Sequence, residues 1–239
     1  MRTNCLLRRL KLHQRGVGMP QIFTASADTW LRAGFLGSAL ALIGGGLMLG
    51  GFVNSGYLTR QAWTVSQPVP FSHKHHVAEL GLDCRYCHTG VETSANAGFP
   101  PTSTCMTCHS QIWTGAAMLA PVRASLSSDR PLAWNRVAQI PDYVFFNHAI
   151  HINRGVPCVE CHGRIDRMPL TYRAHAFQMR FCLGCHRDPG PHLRPPAEVT
   201  RMDWTAWDAN PANRHYGEAR MRELHIQPGK LTNCEICHR

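Results

Sequence analysis

The stretch FSHKHHVAELGLDCRYCH, residues 71–88, decides how this chain folds. His73, His75 and His76 crowd together ahead of a Cys-x-x-Cys-His, so nitrogen donors are gathered beside two thiols. Two cysteines one helical turn apart with a histidine next form the attachment pattern of a c-type haem, in which the thiols become thioethers and the histidine ligates iron. The pattern Cys84, Cys87, His88 (site I) recurs at Cys105, Cys108, His109 (site II) and at Cys158, Cys161, His162 (site III). It returns at Cys182, Cys185, His186 (site IV) and at Cys234, Cys237, His238 (site V), leaving Cys5 as the one cysteine outside it. Zinc sites and thioredoxin-like pairs also use Cys-x-x-Cys, but neither requires histidine in the next position. With 15 histidines in 239 residues, a chance histidine after all five pairs has odds of about one in a million.

Working outward, F-x-H-x-x-H followed by two attachment sites occurs twice. Phe71, His73 and His76 precede sites I and II, and Phe146, His148 and His151 precede sites III and IV. His73 and His148 are 75 residues apart, as are His76 and His151, which marks an internal duplication. Each attached haem already has its proximal histidine (His88, His109, His162, His186 or His238), leaving one axial position. Histidines at i and i+3 share a helix face but lie too close to serve opposite faces of one porphyrin, so each enters a different haem. His73, His76, His148 and His151 are therefore assigned as distal ligands, and His75 as a residue outside the ligand set. For site V the candidates are His175, His192, His215, His225 and Met179, and a thioether from Met179, three residues before Cys182, would raise that centre's potential. His13 is excluded because it precedes the membrane span.

Composition agrees with a core made of cofactor. Only 8% of residues are aromatic, while Gly and Pro supply 20 and 16. The expected fold class is a multihaem cytochrome c, mostly irregular, with short α-helices wrapped around five covalently bound haems plus one N-terminal transmembrane helix. The formal charge of +10 would fall to between about 0 and about +5 once haem propionates and ferric irons are counted, so nucleic acid is not an indicated partner.

AGFLGSALALIGGGLMLGGFV, residues 33–53, carries no charge and as a helix would span about 31 Å, enough to cross the hydrocarbon of a bilayer. Arg2, Arg8, Arg9, Lys11, Arg15 and Arg32 precede it with Asp28 the sole acid, so the amino terminus is expected in the cytoplasm and the haem-bearing part outside. A cleaved signal peptide is the rival reading, disfavoured by the long charged region and the lack of a good Ala-x-Ala site. The expected organisation is a basic arm (1–32), a lipid-embedded anchor (33–56) and a pentahaem domain (57–239). Within that domain lie repeat A (71–109), repeat B (146–186) and the lone fifth site (234–238). Gly46 and Gly50 would let the anchor approach a neighbouring membrane helix. Cys5 reads as a reduced cytoplasmic thiol, and Trp63, Trp113, Trp134, Trp204 and Trp207 as packing residues near haem edges or subunit contacts.

The short arm, single anchor, doubled F-x-H-x-x-H block, PDYVFFNHAIH, MRFCLGCHR and terminal Cys-x-x-Cys-His-Arg together resemble the pentahaem cytochrome subunit of alternative complex III. The F-x-H-x-x-H elements are also similar to those of class III cytochromes. The resemblance implies a bacterial membrane complex that oxidises quinol, with integral membrane and iron-sulfur subunits as partners and a periplasmic cytochrome, copper protein or terminal oxidase as acceptor. It implies an electron wire that makes or breaks no substrate bond. It also implies axial ligation by Met179, since the family's Met-x-x-Cys-x-x-Cys-His is matched at Met179, Cys182, Cys185 and His186; Phe181 replaces the tryptophan often found before that first cysteine. Two alternatives stay open: a multihaem reductase with one open haem, and a stand-alone quinol dehydrogenase anchor feeding a periplasmic reductase.

Overall fold

The computed structural model describes residues 22–24, 26–203, 211–213 and 215–238. Cys5, His13, the basic residues Arg2, Arg8, Arg9, Lys11 and Arg15, and Trp204 and Trp207 lie outside the described residues. Two compact units are present, one ending at Val53 and the other beginning at Asn54.

In the first unit α1 (Ala27–Val53) has no buried residue, and among the described residues it belongs to the one helical stretch long and apolar enough to cross a membrane. It starts six residues before the expected span because Asp28 and Arg32, one turn apart, form an ion pair at 3.0 Å that carries the helix through polar sequence. It ends at Val53, where Asn54 and Ser55 interrupt the apolar run before the short α2 (Gly56–Thr59). A Cβ added at Gly46 or Gly50 would meet nothing within 4 Å, so the glycine face of α1 is open.

The second unit consists of short helices linked by loops. Repeat A begins with a π-helical turn (Lys74–Glu79), then α3 (Cys84–Cys87) and α4 (Thr102–His109). Next come α5 (Ala120–Ser128) and repeat B, with α6 (His148–Arg154), α7 (Cys158–His162) and α8 (Met179–Arg187). α9 (Tyr216–Glu223), α10 (Pro228–Leu231) and a 3-10 turn at Cys234–Ile236 follow. Local signals set these starts: the Asp83 side chain accepts from the Arg85 N–H at the head of α3, the Asn147 side chain accepts from the Ile150 N–H at the head of α6, and Pro101 and Pro157 immediately precede α4 and α7.

The protein's own core is small. Val69, Leu119 and Val122 form one buried cluster with Cys105 packed against it; Val91, Ile152 and Val199 form another with Cys158. The chain exposes 17929 Å², against about 10,700 Å² for an ordinary folded monomer of 26.7 kDa. The wholly exposed α1 accounts for part of that excess.

α6, which carries His148 and His151, is stopped by Gly155 at φ 96, where an added Cβ would run into the Arg194 carbonyl oxygen. The same carbonyl belongs to a residue whose N–H donates to the Gly155 oxygen at 2.8 Å. Gly155→Ala is expected to cost about 1–3 kcal/mol through backbone strain, seen as a lowered thermal midpoint. Gly229→Ala, with open space around it, should leave the midpoint nearly unchanged.

Candidate functional site

Each of the four histidines expected as distal ligands faces one of those expected as proximal ligands. The ring centroids of His73 and His88 lie 6.5 Å apart with planes 7° from parallel, and those of His148 and His162 lie 6.4 Å apart, also at 7°. His151 faces His186 at 6.2 Å and 18°, and His76 faces His109 at 6.3 Å and 63°. Two imidazoles binding one metal ion, each about 2.0 Å from it and with about 1.1 Å from nitrogen to ring centre, put their centroids about 6.2 Å apart. The observed gaps match the spacing of two imidazoles on opposite sides of one metal ion.

Hydrogen bonding fixes which nitrogen faces that gap. Nδ1 of His76 lies 2.9 Å from the Ser72 carbonyl oxygen and Nδ1 of His151 lies 2.7 Å from that of Asn147, the same i−4 contact in both repeats. Nδ1 of His148 meets the Ala95 carbonyl at 2.8 Å, that of His88 meets Gly98 at 2.8 Å, and that of His186 meets Leu231 at 3.0 Å. For His109 the partner is the Ile112 carbonyl at 3.3 Å, and for His238 it is Tyr143 at 3.2 Å. Among the expected ligands whose Nδ1 contact is described, His73 alone meets a side chain, the Thr171 hydroxyl at 2.8 Å. A carbonyl can only accept, so Nδ1 carries the proton and Nε2 keeps its lone pair, as metal-binding imidazoles require.

The electrostatics favour the neutral ring that binds metal. Burial, reinforced by His88 and His76, lowers His73 to about 4. Burial, reinforced by His148, His88, His73 and His175, lowers His162 to about 4. His76, His148 and His151 are also lowered, in each case chiefly by burial.

The phenylalanine of F-x-H-x-x-H has a role that sequence reading left unassigned. Phe71 stacks on His76 at 4.4 Å and meets His73 edge-on at 5.0 Å; Phe146 stacks on His151 at 4.5 Å and meets His148 edge-on at 4.7 Å. Each ring splays two imidazoles apart so that they serve different partners. Its signal was the repeated position two residues before the first histidine. The expected α-helical face is found only in repeat B, for in repeat A His73 caps a π-helical turn, with the Leu80 N–H donating to the His75 carbonyl. The Phe wedge preserves the same splay despite that difference.

The cysteines form a continuous series. Burial, with nearby Cys105 and Cys84, raises the Cys87 thiol. Cys84 and Cys158 share a hydrogen bond that draws Cys84 down and pushes Cys158 up. Burial, with nearby Cys185, Glu160 and Cys182, pushes Cys161 to about 12, and burial with nearby Cys237 raises Cys182. Neighbouring thiols thus link the sites in the spatial order II, I, III, IV, V.

Site V is built differently. The ring beside His238 is Tyr143, at 5.8 Å and 26°, while Met179 opens α8 with 61% of its surface exposed. The other candidates are engaged elsewhere: His192 Nδ1 lies 2.6 Å from a Glu160 carboxylate oxygen, His175 stacks on Phe181 at 4.9 Å, and His215 approaches Glu218 at 3.7 Å. His225 takes φ 52 at a cavity shared with Met221. His75 bonds Glu79 at 2.8 Å and stacks on Trp113 at 6.0 Å.

Alanine in place of His73, His76, His148 or His151 is expected to open one axial position, adding one carbon monoxide-binding centre to the reduced-protein difference spectrum. His75→Ala should add none.

No protein-family model matches the chain. It is 31% identical over 173 residues to the menaquinone reductase multiheme cytochrome c subunit of Nitratidesulfovibrio vulgaris (strain Hildenborough), covering 72% of this chain and 67% of that protein. Facing imidazoles, cysteine pairs each followed by histidine and this likeness converge: the chain belongs to the multiheme cytochrome c family of which that subunit is a member.

Proposed function

We propose that this chain is a pentahaem electron relay, anchored in the bacterial cytoplasmic membrane by α1, within a complex that exchanges electrons between quinone and an extracytoplasmic redox partner. The observation that carries this reading is the set of four facing histidine pairs at 6.2–6.5 Å. Bound c-type haems would supply one-electron ferric/ferrous chemistry. The chain's own residues hold them: Cys84, Cys87, Cys105, Cys108, Cys158, Cys161, Cys182, Cys185, Cys234 and Cys237 by thioethers, and the histidine pairs by axial bonds. Met179 is proposed for the remaining axial position, because it lies one helical turn before Cys182, whose thiol neighbours Cys237.

The order II, I, III, IV, V makes sites II and V the two ends of the relay. Cys108 and Cys234 are exposed, whereas the other attachment cysteines are partly buried. Donor and acceptor therefore approach opposite ends while the middle stays covered. The resemblance to alternative complex III favours quinol oxidation, with integral membrane and iron-sulfur subunits as partners and a periplasmic cytochrome or copper protein as acceptor. The relative's name favours a second reading, quinone reduction in the reverse direction. Rapid haem reduction by menaquinol in the purified complex supports the first direction. Haem reduction only by a reduced periplasmic cytochrome, followed by quinone-dependent reoxidation, supports the second.

The mature protein is expected to carry five haems that survive denaturation, and its reduced form to bind no carbon monoxide. A lower haem count would overturn the pentahaem reading, and uptake at one centre would favour a reductase. Met179→His should lower one midpoint potential in a redox titration, since imidazole replaces a thioether; five unchanged potentials would remove Met179 from the ligand set.

A further inference from the structure

We infer that Thr171 is a positioning residue for His73 that makes site I electronically different from its repeat counterpart, site III. The inference rests on the proposed role of His73 as an axial ligand.

The two repeats match closely where their second histidines are concerned, since His76 and His151 both bond a carbonyl four residues earlier. Their first histidines differ. His148 has the Ala95 carbonyl at 2.8 Å and His73 has the Thr171 hydroxyl at the same 2.8 Å, so the acceptor changes while the length does not. A peptide carbonyl draws the Nδ1 proton more strongly than an alcohol oxygen does. That pull gives Nε2 more imidazolate character and strengthens its donation to ferric iron. The hydroxyl withholds part of this donation, so the ferrous state is favoured at site I relative to a carbonyl-bonded imidazole.

The hydroxyl is also held firmly. Thr171 begins the strip 171–174, in which Tyr172 bridges Thr64 and Arg173 bridges Gln61. The Arg173 guanidinium donates to the carbonyls of Thr59 at 2.9 Å and Gln139 at 2.8 Å, and Gln61 Nε2 donates to the Ala174 carbonyl at 2.8 Å. On the other side the Lys74 N–H donates to the Met168 carbonyl at 3.1 Å, tying the turn that follows His73 to the same stretch. Donor and acceptor are thus fixed from both directions.

The test compares Thr171→Val, Thr171→Ser and Thr171→Asp in the haem-loaded full chain, by redox titration and by electron paramagnetic resonance of the ferric protein. The shifted centre is identified as the one that His73→Met also moves. Thr171→Val should raise that potential alone, Thr171→Ser should restore it, and Thr171→Asp should lower it below the parent while altering one low-spin signal. Equal shifts for Val and Ser, or no shift in Val with full haem content, would overturn the inference and leave the ligand assignment standing. If His73→Met leaves every potential and signal in place, the ligand assignment itself fails, and the inference with it.

Discussion

The organisation of this chain depends on one constraint: an imidazole offered to iron must be neutral, with its lone pair on the nitrogen that faces the metal. Backbone carbonyls satisfy it for seven of the proposed ligand histidines, and the Thr171 hydroxyl lies at Nδ1 of an eighth. Those carbonyls come from loops and helix ends, and the oxygens of Ser72 and Ala95 accept a second bond from the backbone N–H of the same histidine, His76 and His148 respectively. A carbonyl's two lone pairs let one oxygen hold both the ring and the backbone of a histidine.

The same constraint explains the thin protein core. The small apolar clusters around Val69 and Val91 each reach an attachment cysteine, Cys105 in one and Cys158 in the other. Burial of so few side chains cannot offset the ordering of such a loop-rich chain by itself. Covalent porphyrins would contribute apolar area where the polypeptide lacks it, and on the proposed reading they would serve the folding energetics as well as the redox chemistry.

Duplication gives the molecule a common device and then lets its two copies diverge. Phe71 and Phe146 splay their histidine pairs almost identically, although one pair lies on a π-helical turn and the other on an α-helix. Divergence appears where each copy borrows an acceptor from the other: His148 reaches Ala95 in repeat A, and His73 reaches Thr171 in repeat B. The Cys84–Cys158 contact joins the copies at their first attachment sites. Sites I, III and IV become the interior of the series, leaving sites II and V at its ends.

The attachment motifs, the apolar span and the doubled histidine block are local patterns, each contained within a few residues or one helix, and a linear reading suffices for them. Pairing is another matter. That His73 faces His88 while His76 faces His109 follows from the Phe wedge and the path of the loops, and the Thr171 contact joins residues 98 positions apart. Spatial order II, I, III, IV, V likewise departs from chain order because contacts between the repeats bring Cys84 to Cys158. The sequence by itself determined which chemistry is present, since thioether and axial donors are encoded by residue type and short spacing. Only the tertiary structure decided which imidazoles face each other and which cysteine pairs are neighbours, because distance in space is set by packing between segments remote in the chain.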